Sequence, residues 1–160
     1  MASAHFVTRS GRERKKWLKL SLVMVCGSLL LLSSVLSMGP DNDKCPAEEL
    51  LEKSLETAVP KLPQILYADA GYDAHWVHAK CREQWVIKPV IHRQDGLIGG
   101  EYRSEMTKEN LKKKGYGKRW LIESFFSGFK RIMGSTLSSR TFENLRKEAA
   151  LRLDGLLHPL

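Results

Sequence analysis

The chain has 160 residues and a formal net charge of +8. This length suits a single domain with one hydrophobic core. The positive charge favours a polyanionic partner, either nucleic acid or an anionic membrane surface, and does not distinguish between them. The three cysteines show no C-x-x-C spacing, which argues against a disulfide framework or a zinc site and fits a reducing cytosol.

Residues 1–19 are polar and basic, and residues 20–40 follow without any charged side chain. A basic flank before about 20 uncharged residues is typical of a membrane-spanning helix or an uncleaved signal anchor. One hypothesis is therefore a small single-pass membrane protein with its apolar span at 21–38.

The same apolar run also fits a pair of strands. It is diluted by serines and glycines and divides at Cys26-Gly27 into Trp17–Val25 and Ser28–Met38. Each half has the length of a strand in a sheet that is covered on both faces. The residues alone leave both interpretations open.

The next segment predicts a turn, a helix and a strand. Residues 39–43 are dense in turn formers, and the leucines after Pro46 trace the apolar stripe of a helix that Pro60 ends. The strand-like run Gln64–Ala68 then leads directly into Asp69. Asp before a glycine also fits an ordinary turn, so Asp69 has a structural interpretation as well.

The following residues predict a helix over 74–84, with Trp76 and Val77 turned inward, and a short strand over 86–91. His75 and His78 share one face of that helix, but no cysteine or carboxylate is placed to complete a metal site. A lysine-rich segment includes Lys112, Lys113 and Lys114. A last helix is predicted over 141–153.

The stretch 116–130 reads YGKRWLIESFFSGFK. At about 100° per residue, a helix places its polar residues on one face and its apolar residues, with Ile132 beyond, on the other. The polar face consists of Tyr116, Arg119, Glu123 and Lys130. By itself this is an amphipathic helix with an i, i+4 ion pair.

The spacing Tyr-x2-Arg-x3-Glu-x6-Lys resembles the last catalytic helix of insertion-sequence transposases with a DDE active site. Residues 69–72, Asp-Ala-Gly-Tyr, are similar to the family's second motif. The resemblance spans roughly residues 12–152, and it implies two adjacent antiparallel strands for the apolar run, which favours the strand pair over the membrane span. It implies an α/β fold, namely a partial RNase H-like fold in which helices flank a mixed sheet and the first strand is missing.

Under this resemblance, Asp69 and Glu123 are catalytic and bind divalent metal, normally two Mg²⁺ ions. Arg119 and Lys130 would hold DNA phosphates, and Tyr116 would pack on the DNA or hydrogen-bond to it. Lys112, Lys113 and Lys114 would add phosphate contacts without sequence preference, although a lysine run also fits a solvated face.

The resemblance also implies a first carboxylate on a strand before the basic segment. No Asp or Glu precedes Glu13, so we expect a truncated catalytic domain over 20–153, between a basic segment at 1–19 and a degenerate tail at 154–160. Such a chain would not cleave DNA alone. Its expected partners are transposon-end DNA and a second copy or a full-length transposase, in the cytoplasm at the nucleoid.

Overall fold

The computed structural model describes residues 2–8, 17–39, 42–58, 63–95, 99–134 and 136–157. Within these ranges the strands are β1 Ala2–Thr8, β2 Trp17–Met24, β3 Leu31–Met38, β4 Ile65–Ala68, β5 Lys88–Ile91 and β6 Thr136–Leu137. The helices are α1 Ala47–Thr57, α2 His75–Glu83, α3 Glu101–Ser104, α4 Lys108–Lys113, α5 Trp120–Met133 and α6 Phe142–Leu157.

The strands form two sheets. The larger sheet has the order β3-β2-β1-β6, in which β1, β2 and β3 are antiparallel and β6 runs parallel to β1. The smaller sheet pairs β4 with β5 in parallel. This mixed α/β arrangement confirms the predicted fold class and agrees with a partial RNase H-like domain.

One detail of the prediction is wrong: a strand does precede Glu13. Strand β1 pairs antiparallel with β2, with Ala2 opposite Leu22 and Val7 opposite Trp17. The sequence of residues 2–8 did not predict this strand. Strand β1 forms by pairing with β2, which comes later in the chain, and strand propensity depends on such context. The strand contains no Asp or Glu.

The apolar run forms the predicted strand pair. Strands β2 and β3 are joined by a turn that contains Gly27 at φ +107°, a conformation that glycine adopts without a steric penalty. Within the described residues, no helix is long and apolar enough to cross a membrane.

Strand β2 is covered on both faces. Because side chains alternate along a strand, Leu18, Leu20 and Leu22 enter one hydrophobic cluster and Val23 enters another. The first, the α5–α6 cluster, adds Ile122, Phe126, Phe129, Leu137, Leu145, Ala149 and Leu153. The second, the α1–α2 cluster, includes Leu50, Leu51, Leu66, Ala68, Tyr72, Val77 and Cys81.

The predicted helices are present, with changes in detail. Helix α2 buries Val77 but leaves Trp76 exposed, and Ile132 of α5 is 67 % exposed, so neither points inward as predicted. Helix α6 continues past the predicted end at 153 to Leu157.

Helix α6 is tied to the residues before it by a carboxylate. The backbone N–H groups of Ser138 and Ser139 donate to Glu148 at 3.0 and 2.9 Å, and Arg152 pairs with the same carboxylate. Desolvation acts to raise the pKa of Glu148, but these donors outweigh it and lower the pKa to about 2.

We therefore expect an acid-sensitive contribution from Glu148. A lowered folded-state pKa gives stability that is present above the unfolded pKa and is lost as the pH falls toward 2. Glu148→Gln should lower the free energy of unfolding by about 2 kcal/mol at pH 6 and by much less near pH 2. Urea titrations at both pH values test this. The exposed Glu143→Gln in the same helix is the control and should change little at either pH.

Candidate active site

Strand β4 ends at the first candidate residue. Leu66 and Ala68 are buried, which fixes the strand, and Asp69 follows as the N-cap of a 3₁₀ turn over Ala70–Tyr72. One carboxylate oxygen, Oδ1, accepts a hydrogen bond from the Ala70 backbone N–H at 2.7 Å. The other oxygen, Oδ2, remains directed toward the rest of the site.

Gly71 lies close to the segment before α1. A Cβ at this position would meet the carboxylate of Asp43, which pairs with the buried Lys19, so that carboxylate would have to move to accept a side chain here. The glycine of the Asp-Ala-Gly-Tyr motif thus allows the turn after β4 to approach Asp43 closely.

The second candidate carboxylate lies at the start of α5. The predicted helix begins as a 3₁₀ turn over Tyr116–Arg119 and becomes α-helical at Trp120, which puts Glu123 in the first turn of α5. Ile122, Phe126 and Phe129 of the same helix are buried. The helix is therefore anchored by its apolar side, and the side chain of Glu123 is 55 % exposed.

A single guanidinium joins the two carboxylates. Arg119 Nη2 lies 2.7 Å from Glu123 Oε1, and Arg119 Nη1 lies 3.4 Å from Asp69 Oδ2. Residues that are more than 50 positions apart in sequence therefore meet at one side chain. The sequence predicted the Arg119–Glu123 pair from its i, i+4 spacing. The contact with Asp69 depends on the fold.

Tyr116 packs beside this group. Its ring centroid lies 5.6 Å from the Arg119 guanidinium carbon and 6.0 Å from the ring of His92. Burial raises the pKa of Tyr116, and the charges of Asp69 and Glu123 act in the same direction, so the phenol keeps its proton at neutral pH and can donate a hydrogen bond. His92 was not identified from the sequence as part of the site.

The predicted DNA-binding lysines differ in their surroundings. Lys112 and Lys113 are exposed on α4, directly before the turn that carries Tyr116 and Arg119. Lys114 instead points its ammonium toward Glu105 at 3.7 Å, and its backbone carbonyl accepts a hydrogen bond from Tyr67. Lys130 lies in the last turn of α5, about two turns beyond Glu123.

A buried charge cluster next to the site was not predicted. Asp73 accepts from Arg103 Nε at 2.9 Å and Nη2 at 2.6 Å, and from the Gln94 backbone N–H at 2.9 Å. His78 Nε2 lies 3.2 Å from the same carboxylate. Asp73 lies four residues after Asp69, so the cluster links the Asp69 turn to α3. No short-range signal marks it, because its members are up to 30 residues apart.

His78 does not form the metal pair considered with His75. It is fully buried against Asp73, whereas His75 is exposed and stacks on Tyr102. Burial lowers the pKa of His78. The hydrogen bond and the charge of Asp73 act to raise this pKa, but they do not outweigh the effect of burial. The imidazole is therefore neutral at neutral pH and donates to Asp73 through Nε2.

The paired carboxylates suit a hard divalent cation. Both are acceptor-only oxygen groups, about half exposed, and both lie beside the Arg119 guanidinium. Mg²⁺ and Mn²⁺ are commonly held by one or two carboxylates, with water completing the coordination. Across the described ranges, no group of three or more His, Cys, Asp or Glu residues could hold a metal ion.

Fold and site together define an α/β protein with a paired-carboxylate centre built from a strand end and a helix start. Residues 3–153 match the family described as "Transposase DDE domain", and the chain belongs to this family. Members generally use a divalent metal ion and act on DNA. No curated protein and no solved structure matches the chain.

Proposed function

We propose that the chain is a transposase catalytic domain that binds transposon-end DNA and supplies two of the carboxylates for phosphodiester cleavage and strand transfer. The observation that supports this most directly is the meeting of Asp69 and Glu123 at one guanidinium, at the end of β4 and the start of α5. The i, i+4 pairing within an ordinary amphipathic helix does not by itself bring Glu123 close to Asp69, which lies 54 residues earlier in the chain.

In this proposal Asp69 and Glu123 hold Mg²⁺, with a two-metal site as the complete arrangement. When bound, Mg²⁺ activates the attacking water or 3′-hydroxyl and stabilises the leaving oxygen. Tyr116 donates a hydrogen bond from its protonated phenol to a phosphate or base near the cleavage point. Arg119 and Lys130 bind phosphate oxygens along α5.

The exposed lysines would extend the DNA-binding surface. Lys112 and Lys113 lie on α4, which packs against the turn that bears Tyr116. Their charges would contact phosphates without reading sequence, and Lys114 would contribute less because its ammonium faces Glu105. Because the proposed partner is DNA, the proposed location of the protein is the cytoplasm, at the nucleoid.

We further propose that the 160-residue chain does not cleave DNA alone. Neither β1 nor any residue before Glu13 offers a third carboxylate, and two ligands position a metal ion less precisely than three. A second copy or a full-length transposase is the proposed partner. Alone, the chain would occupy DNA without cutting it.

The test is DNA binding and nicking by the purified chain. We expect salt-sensitive binding to duplex DNA and no Mg²⁺-dependent nicking of supercoiled plasmid. The double substitution of Lys112 and Lys113 by Gln should make the slope of log K against log salt shallower by about 2. The matched control replaces the exposed Lys53 and Lys147, on α1 and α6, and should leave the slope unchanged.

The results separate the parts of the proposal. Absence of DNA binding at low salt would contradict the transposase assignment for this chain. Nicking by the 160-residue chain, lost in Glu123→Gln, would contradict the proposed inactivity and leave the site assignment in place.

A further inference from the structure

The position of Arg119 has a consequence beyond DNA contact, which depends on the proposed metal site. Its guanidinium lies between the two carboxylates, at 2.7 Å from Glu123 Oε1 and 3.4 Å from Asp69 Oδ2. A divalent cation bound by both residues would take these same oxygens. A guanidinium and a divalent cation held by the same two carboxylates repel each other, so the binding of one weakens the binding of the other.

We propose that Arg119 is a gating residue whose guanidinium competes with the divalent cation for Asp69 and Glu123. Binding of the cation displaces the guanidinium, and the displaced side chain becomes available to a phosphate. Metal loading and DNA contact by Arg119 are thereby coupled.

The guanidinium is held well enough to compete. Its side chain is 23 % exposed, and it packs over the Tyr116 ring, which in turn contacts the ring of His92. Stacking and a forked pair of donors make arginine a stronger competitor here than a lysine, whose ammonium is a single point charge.

The guanidinium also has space to leave. Arg119 and Lys118 line one wall of a cavity of about 570 Å³ between the ends of β2, α1 and β4, whose other walls are mostly apolar. A long side chain that borders open space can change rotamer without disturbing a packed core. Arg119 therefore borders space into which its side chain can move.

The two carboxylates would stay in place without Arg119. Ala68 and Phe126 are buried on the elements that carry them, and Asp69 Oδ1 keeps its bond to the Ala70 N–H. Removing the guanidinium leaves two anions close together with no cation between them. Their mutual repulsion increases the affinity for any cation that can bind both.

The experiment measures Mn²⁺ binding in the absence of DNA, at fixed ionic strength, from the electron paramagnetic resonance signal of free Mn²⁺. We expect Arg119→Met to bind Mn²⁺ at least about fivefold more tightly than the unmodified chain. Arg119→Lys should give an intermediate affinity, because the ammonium keeps the positive charge but lacks the forked donors and the ring stacking of arginine. Circular dichroism checks that each variant is folded.

Two further variants identify the site and the general charge effect. Lys118→Met removes a neighbouring positive charge that pairs with neither carboxylate in any described contact, and it should change Mn²⁺ affinity less than twofold. The double variant Asp69→Asn with Glu123→Gln should abolish the binding.

The outcomes distinguish this inference from the proposed function. Equal or weaker binding by folded Arg119→Met, with binding still lost in the double variant, would overturn the gating role and leave the metal site standing. An equal gain in Lys118→Met would also overturn it, since the effect would then be general charge. Binding that ignores the double variant, or no binding in any variant, would overturn the metal site and the gate together.

Discussion

Replacing Arg103 with alanine is expected to lower the free energy of unfolding by about 3–5 kcal/mol. Arg103 and Asp73 are both almost fully buried, with side chains 6 % and 1 % exposed. Removing the arginine leaves a buried carboxylate without its main partner, and an uncompensated buried charge is among the most destabilising changes in a protein. Urea denaturation followed by circular dichroism measures the loss.

The chain contains a matched surface pair as a control. Arg82 donates to both oxygens of Glu105 at 3.1 and 2.7 Å, so its geometry resembles that of the Arg103–Asp73 pair, but Glu105 is 44 % exposed. Glu105→Gln should therefore cost less than about 1 kcal/mol. Similar losses in the two variants would show that burial does not determine the strength of these pairs.

The second large effect concerns the helix that carries Glu123. Phe129→Ala is expected to lower the free energy of unfolding by about 3–5 kcal/mol, because it removes an aromatic ring from a closed part of the core. Phe129 is 1 % exposed in the α5–α6 cluster, and its ring stacks on Phe125 at a centroid distance of 6.3 Å. Thermal and urea unfolding measure the change.

The control for Phe129 lies three residues further along the same helix. Ile132 is 67 % exposed, so Ile132→Ala should change the free energy of unfolding by less than about 0.5 kcal/mol. A large loss from Ile132→Ala with little from Phe129→Ala would mean that α5 is rotated about its axis relative to the structure described above. In that case the placement of Glu123 would be wrong as well.

Local sequence patterns predicted those parts of the fold that depend on near neighbours. The i, i+4 spacing of Arg119 and Glu123 and the strand run before Asp69 are each readable within a few residues. These patterns predicted the helix of Glu123 and the strand before Asp69, whereas the choice of a strand pair over a membrane span and the mixed α/β class rested also on the resemblance to the transposase family.

Features that depend on distant partners were not predictable in this way. Lys19 was grouped with a basic flank, but it is buried because β2 turns it toward Asp43. The Arg103–Asp73 pair spans 30 residues, and β1 exists through pairing with β2. Helix periodicity also placed Ile132 inward, because it cannot tell where the neighbouring core ends. The division at residues 19 and 153 stays a prediction.

Strand β2 also determines how the molecule comes apart. Its side chains alternate between the α5–α6 cluster and the α1–α2 cluster, so the two clusters share this strand as a common boundary. If either cluster unfolds, the other cluster becomes exposed to water along the eight residues of β2. Asp69 follows β4, whose Leu66 and Ala68 lie in the α1–α2 cluster, and Glu123 lies on α5, whose Ile122 and Phe126 lie in the α5–α6 cluster. Loss of β2 would therefore remove support from both elements that carry the candidate carboxylates.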